Sequence, residues 1–538
     1  MNKFLNYIFL ILAIAVFLIL AWKKPYGTSS LIGNFDPFPD SLHYVIPARN
    51  FILGNDFTFA REGGKTAIGV PPLYSMALIP IYFINHDARS FYFANLLLGI
   101  LSIILLFKIS QKKSKSVWVT GLLLFTYATS FVIYWQPSLA MAENVLLPAC
   151  FFALWFALQP LTTKNILFGT ITAVACYGSK YVSLPITGVF ILFLLGRILT
   201  EQKKSKAIKS SLLIIILALF TFLFFNGSQF FNYLSKIFQG NLNNNLQAQS
   251  ETSWLSLQYF SQSFPKYFMA LLGAPIYNLW YVKAILPMGL ALIVLVWCLF
   301  AILKLPKQRR LGILILALTF AQLAFLSVIQ MVEGRYAFIF IPIMMTGAAA
   351  MMGWLIVKSE RKFGKKTTNL LQIGIVGILA GLLLLANFKD LKTQLLLNFK
   401  GGEMPWWQVG IQSADQFMQK EISTKKEEKP IMISSLSPFV WDFYRQGNYQ
   451  ILPFNNSQSM MKEKIWGEGF DTNNLFAYYR QELENNRTIY LDTVGFGRTD
   501  WLILEEYKVS GFELELLQED CAGACKIYGV KSNENYNL

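Results

Sequence analysis

The residues best suited to chemistry begin with Asp40, in the stretch NFDPFPDSLHYVIPARNFILG. After Pro39, the run Asp40-Ser-Leu-His43-Tyr44 suits a helix start. Spacings of three and four then put His43 and Tyr44 on the face of Asp40. A carboxylate beside a phenol and an imidazole can take a proton from a hydroxyl or an amine. An Asp at that place can equally serve as a plain helix cap. Its setting favours chemistry, because the first 387 residues hold only ten acids and four of them (Asp36, Asp40, Asp56 and Glu62) share one loop. Carboxylates are expensive near hydrocarbon, so few and clustered ones point to use.

Other charged positions interrupt apolar runs. Glu143 stands in LAMAENVLLP, where it either works chemically or reaches to water from a span end. Lys180, in GSKYVSLP, breaks an apolar stretch at a turn, as a loop anchor or as a cation for a lipid-linked phosphate. Arg335 lies in Glu333-Gly-Arg335-Tyr336, where its guanidinium can clamp a phosphate in two-pronged fashion or simply pair with Glu333. Pro71-Pro72-Leu73-Tyr74 opens a short apolar segment.

The elements that carry these residues are mostly membrane spans. The chain has 538 residues, is 54% hydrophobic and 15% aromatic, and has a net charge of +16. Apolar runs near 20 residues long predict spans at 4–22, 91–109, 118–135, 143–159, 165–179, 181–198, 211–226, 283–303, 311–330, 336–357 and 369–387. No small-residue cleavage site precedes Lys23-Lys24, so the first run reads as a retained helix. Basic loops at Lys112–Lys115, Lys203–Lys209, Lys304–Arg310 and Lys358–Lys366 fall on one side only if residues 71–84 do not cross. That parity predicts about 11 transmembrane helices, a cytoplasmic N-terminus and an extracytoplasmic C-terminal region in a cell (plasma or inner) membrane.

The expected domains are a transmembrane module over 1–387, an amphipathic helix and linker over 388–429, and a small α/β domain over 430–538. The first external loop, 23–90, carries juxtamembrane helices and is too rich in Pro and Gly for lipid. In the C-terminal region, strands are expected at Pro430–Ser434, Tyr449–Phe454, Thr488–Asp492, Phe512–Leu517 and Lys526–Val530, with helices at Pro438–Gln446 and Asn474–Glu484. Residues Trp406 to Met418 suit an amphipathic helix at the membrane surface. Cys150, Cys176 and Cys298 fall in spans as small packing residues. Cys521 and Cys525 are either a disulfide or two thiols. Two histidines in the whole chain argue against a His-rich metal site; a divalent cation on carboxylates is possible, and no motif requires one. No nucleic-acid partner is expected.

The pattern Asp40-x-x-x-Tyr44-x-x-x-Ala48-Arg49, then Pro71-Pro72-Leu73-Tyr74, then serial spans resembles the GT-C superfamily of membrane glycosyltransferases. It is similar above all to the protein O-mannosyltransferases and the lipid A aminoarabinose transferases. The resemblance covers roughly 1–357. Two positions depart from it: Ser41 stands where the family has Glu, and Val70 where it commonly has Lys or His. It implies a GT-C-like polytopic α-helical fold and an essential Asp at Asp40. It also implies a second acid at Glu143 and an R-Y-x-x-x-x-x-P turn at Arg335, Tyr336 and Pro342.

The implied activity is transfer of a sugar from a polyprenyl-phosphate donor, with inversion, to a glycan, lipid or protein acceptor. Asp40 and Glu143 are then the catalytic candidates, and His43, Tyr44, Tyr74, Lys180, Arg335 and Tyr336 the substrate-binding ones. The partners implied are the lipid-linked donor, that acceptor and membrane lipids, with no resident cofactor. The alternative is a transporter or flippase of lipid-linked saccharides, which has little use for the long first loop and the α/β region. A non-catalytic assembly or sensor protein leaves the clustered acids without a purpose.

Overall fold

The computed structural model describes residues 2–22, 40–54, 56–59, 70–86, 90–202, 208–220, 257–278, 281–329, 333–400, 406–425, 429–434, 436, 441, 448–454, 475–494 and 501–532. Asp36, Glu62, the Asn/Gln-rich stretch and the expected helix at 438–446, apart from Trp441, lie outside these residues. Two compact units divide the chain: one of residues 1–22, 70–78 and 92–399, the other of 23–69, 79–91 and 400–538.

The larger unit is helical. Its helices include α1 (Asn2–Ala21), and the order continues through α2 (Asp40–Ile52, in the other unit), α3 (Leu73–Ile84), α4 (Phe91–Ser114), α5 (Val117–Ala128), α6 (Phe131–Trp135), α7 (Glu143–Ala157), α8 (Thr163–Ser179) and α9 (Leu184–Glu201). Beyond these come helices Phe260–Leu271, Leu290–Lys304, Arg309–Ser327 and Phe340–Lys400. The expected spans fall mainly on helix; 211–226 is described only to Phe220, and 283–303 is helical from Leu290. Among the described residues, five helices are long and apolar enough to cross a membrane, or six if the pair α5 and Phe131–Ser138, bent by 56°, counts as one span. The expected spans 336–357 and 369–387 share one helix, Phe340–Lys400, which changes direction at Gly364 (φ 76°). Residues 71–84 form only the 12-residue α3, too short to span, as the charge parity requires. A two-stranded ladder of β1 (Ile276–Asn278) and β2 (Tyr281–Lys283) was not foreseen; it delays the next helix to Leu290.

Ser-cap chemistry and small residues set the packing. Ser116 caps α5 by accepting from the Val119 amide and also donates to Gln372 at 2.7 Å. Gly353 lets the long helix touch the backbone at Lys113 and Ser114, where an added Cβ would overlap the Lys113 carbonyl.

The second unit holds a five-stranded sheet in the order β4-β3-β5-β7-β6, built from β3 (Ile431–Ser434), β4 (Gln450–Pro453), β5 (Ile489–Asp492), β6 (Phe512–Asp520) and β7 (Cys525–Ser532). Strands β4, β3 and β5 run parallel, whereas β7 and β6 are antiparallel. Helix Leu475–Glu484 is as expected; helix Trp501–Val509 was not foreseen. Burial pushes the Tyr479 and Tyr507 phenols well above their usual pKa, so both remain donors, to the Pro453 and Phe454 carbonyls. Cys521 and Cys525 form a disulfide.

The amphipathic helix extends over Trp406–Lys425, and its partners correct the expected role. Ile411, Ala414 and Met418 are buried, Gln518 donates to Ser413 at 2.6 Å, and Tyr449 donates to Asp415 at 2.7 Å. Gly410 abuts the Cys525 sulfur and Val494. Ile411, Ala414 and Met418 are therefore covered within the same unit as the sheet.

Candidate functional site

Asp40 is the first residue of α2, the place its sequence context assigns. Tyr44, one turn on, is buried, and the His43 ring stacks on Phe59 at 4.4 Å between centroids. Beyond the helix, the Asn50 amide donates to the Thr58 carbonyl at 3.0 Å, which folds the loop back along α2. Helix α2 continues past Pro47, inside it, to Ile52.

A second constellation lies wholly in the helical unit. Trp135 passes into a 3-10 turn (Gln136–Ser138), and the chain then re-enters helix at Glu143. Glu143, in the first turn of α7, is fully buried; a negative charge there is favoured by the exposed amides of the helix start. Its Oε1 accepts from Lys180 Nζ, and its Oε2 has no hydrogen-bond partner among the described residues. Lys180 follows α8 in extended conformation and is itself 7% exposed. Ser183 fixes the Lys180 turn by donating to the Cys176 and Lys180 carbonyls, and Gln322 donates to the Val182 carbonyl at 3.0 Å.

The third contributor is the 3-10 segment Gly334–Ile339. Arg335 is 7% exposed; its Nε lies 2.5 Å from Glu333 Oε2 and its Nη1 3.6 Å from the Met141 sulfur. The Tyr267 hydroxyl accepts from the Glu333 amide at 3.1 Å and donates to the Glu333 carbonyl at 3.4 Å, which clamps the entry to this segment. Lys180 Nζ and the Arg335 guanidinium carbon stand 4.6 and 5.7 Å from the centre of the Tyr336 ring. One aromatic ring thus serves two cations, each matched by its own carboxylate.

Tyr74 joins this region through α4. Its hydroxyl donates to Asn95 at 2.9 Å, while the Asn95 amide donates to the Pro137 and Leu139 carbonyls at 3.1 and 2.8 Å. Asn144 holds the same turn through the Leu139 and Met141 carbonyls, both at 3.0 Å. Of the residues singled out in the sequence, the structure thus brings Glu143, Lys180, Arg335 and Tyr336 together, with Tyr74 on the supporting bonds. Asp40, His43 and Tyr44 belong to the other unit. Sequence reasoning missed Asn95, Asn144, Met141 and Tyr267. Asn95, a lone amide in an apolar run, carried a signal; Tyr267 and Met141 carried none.

The described residues contain no group of three or more His, Cys, Asp or Glu placed to hold a metal ion. What the arrangement can do is offer two cations to an anionic group and the Glu143 Oε2 to a hydrogen-bond donor.

No family profile and no curated protein matches the sequence. Among solved structures, the chain is similar to ArnT from Cupriavidus metallidurans bound to undecaprenyl phosphate, with a TM-score of 0.57, 10% identity and 97% coverage of both chains. The apo form of that protein gives a TM-score of 0.56 at 12% identity, again over 97% of both chains. The archaeal oligosaccharyltransferase AglB from Archaeoglobus fulgidus, in complex with an inhibitory peptide and a dolichol-phosphate, gives 0.52 at 11% identity, over all of this chain and 75% of that one. These neighbours are GT-C glycosyltransferases, and the match runs through both the helical body and the C-terminal region. The chain has the GT-C fold.

Proposed function

We propose that this protein is a membrane glycosyltransferase that moves a sugar from a polyprenyl-phosphate donor to an acceptor outside the cytoplasm. The observation that carries this is the pair of buried cations, Lys180 and Arg335, set about the Tyr336 ring. A phosphate leaving group needs cations where its charge grows, and here they are fixed before substrate arrives. The similar ArnT structure contains undecaprenyl phosphate and the AglB structure a dolichol-phosphate, which supports a donor of that class.

In this mechanism Asp40 takes the proton of the acceptor hydroxyl or amine, whose oxygen or nitrogen attacks the anomeric carbon. The bond from that carbon to the phosphate oxygen breaks, the electron pair leaves with the lipid phosphate, and the configuration inverts. Lys180 and Arg335 stabilise the departing phosphate. Glu143 is a positioning residue: it holds Lys180 and keeps Oε2 open to a donor group of the substrate. Glu333 does the same for Arg335. The basic loops put the N-terminus in the cytoplasm and the α/β domain outside.

Purified protein in vesicles, given a radiolabelled polyprenyl-phosphate sugar, should release polyprenyl phosphate. Appearance of intact donor in the opposite leaflet, without release, would instead establish a flippase.

A further inference from the structure

The helical unit contains a groove that the transfer mechanism does not use. One cavity of about 590 Å³ lies between α5 and helix Phe340–Lys400, with walls that include Leu122, Leu123, Met351, Leu371, Ile375 and Leu379. A second, of about 340 Å³, shares Thr126, Pro287, Met288, Met345 and Leu383 with it, so the two adjoin. Along the long helix the lining runs from Leu371 to Asp390, roughly 28 Å at the usual rise of ~1.5 Å per residue. That length suits a lipid chain rather than a compact solute.

The second cavity ends in charge. Lys283, the last residue of β2, and Asp390 line it together with Asn387. The Lys283 ammonium donates to Asp390 Oδ1 at 2.6 Å and stands 5.5 Å from the centre of the Phe131 ring. Among the described residues this is the one hydrogen bond of either side chain. Two ammonium N–H groups and a carboxylate oxygen therefore remain for a ligand. Both side chains are reachable, at 34% and 27% exposed.

An apolar groove closed by one cation and one anion matches an amphiphile that carries both charges in its head. We propose that it binds a zwitterionic phospholipid, its phosphate on Lys283, its primary ammonium on Asp390 and an acyl chain along the groove. An anionic lipid would set its phosphate against Asp390 with nothing to offer that carboxylate, and polyprenyl phosphate likewise lacks the ammonium. Neither cavity is lined by Lys180, Arg335, Tyr336 or Glu143.

Native mass spectrometry of the full chain in detergent, titrated in turn with phosphatidylethanolamine, phosphatidylglycerol and polyprenyl phosphate, tests this. Phosphatidylethanolamine should bind at least about tenfold more tightly than phosphatidylglycerol, the scale of one charged hydrogen bond. Polyprenyl phosphate should not displace it. Asp390→Asn, which keeps side-chain size, should remove the preference, whereas Lys283→Gln should weaken the binding of both phospholipids, since both carry the phosphate. Equal retention of both phospholipids by the unaltered protein, displacement by polyprenyl phosphate, an unchanged preference in Asp390→Asn, or undiminished binding of both lipids by Lys283→Gln would overturn the proposal. The preference is read on the unaltered chain, so a poorly folded variant cannot hide the answer.

Discussion

Lys180 and Glu143 lie 37 residues apart and meet as a buried ion pair between the end of α8 and the first turn of α7. The ammonium is held 4.6 Å from the centre of the Tyr336 ring, and α8 and α7 pack along their length to fix it there. A buried charge whose partner is removed is costly, about 3–5 kcal/mol, whereas losing both charges together often is not. Glu143→Ala should accordingly lower the thermal midpoint in detergent sharply. The double variant Glu143→Gln with Lys180→Met should melt much closer to the unaltered protein while lacking transfer activity. A Glu143→Ala protein that melts normally would show that the pair is not buried as described.

Asp40→Asn should leave the protein folded and inserted but reduce transfer by roughly 10²–10⁴-fold, the usual contribution of a general base. Asp36 precedes Pro37 and Pro39 in the sequence, ahead of the first residue of α2, so Asp36→Asn should be far milder. Comparable losses in the two variants, measured as initial rates with saturating donor, would remove the special role of Asp40.

Orientation is open to thiol labelling. The native cysteines are either buried or joined in the Cys521–Cys525 disulfide, so introduced ones can be read against a low background. Val509→Cys, exposed in the α/β domain, should react with an impermeant reagent from outside intact cells. Lys362→Cys, exposed within the basic stretch of the long helix, should react only after permeabilisation. The reverse pattern would invert the topology.

Gly353 faces the backbone of Lys113 and Ser114, leaving no room for a methyl group. Gly353→Ala should destabilise the helical unit by about 1–3 kcal/mol, the range for overpacking, seen as a lowered midpoint in detergent. Gly374, on the same helix with nothing within 4 Å of an added Cβ, is the control, and Gly374→Ala should be neutral. Equal midpoints for both variants would mean that the close approach is absent.

Much of this architecture was legible in the sequence, for physical reasons that also mark where reading stopped. Long apolar runs announce spans, because each must satisfy its own backbone in lipid. The basic loops predicted that residues 71–84 do not cross, and the helix there is only 12 residues long. Strands β3, β4 and β5 were legible as short β-branched and apolar runs between turn residues. The ladder of β1 and β2 was not, since strands of three residues are too short to leave an alternating pattern. The α/β domain's use of helix Trp406–Lys425 was also hidden: an amphipathic face records that something apolar covers it, not whether that is a sheet or a bilayer. At the site, Glu143, Lys180 and Arg335 stood out as charges in apolar surroundings. Their assembly about Tyr336 depends on contacts between residues far apart in sequence, which no local pattern encodes.

The central claim is that Lys180 and Arg335 take the phosphate of a lipid-linked donor. It is tested most directly by following the ³¹P resonance of polyprenyl phosphate in detergent as protein is added. The unaltered protein should shift and broaden the signal saturably. Lys180→Ala and Arg335→Ala should each weaken binding by about ten- to a hundredfold, as expected for the loss of a charged hydrogen bond. Arg335→Lys should recover only part of that, because it keeps the charge without the planar fork. Unchanged affinity in both alanine variants would contradict the claim and place the phosphate elsewhere.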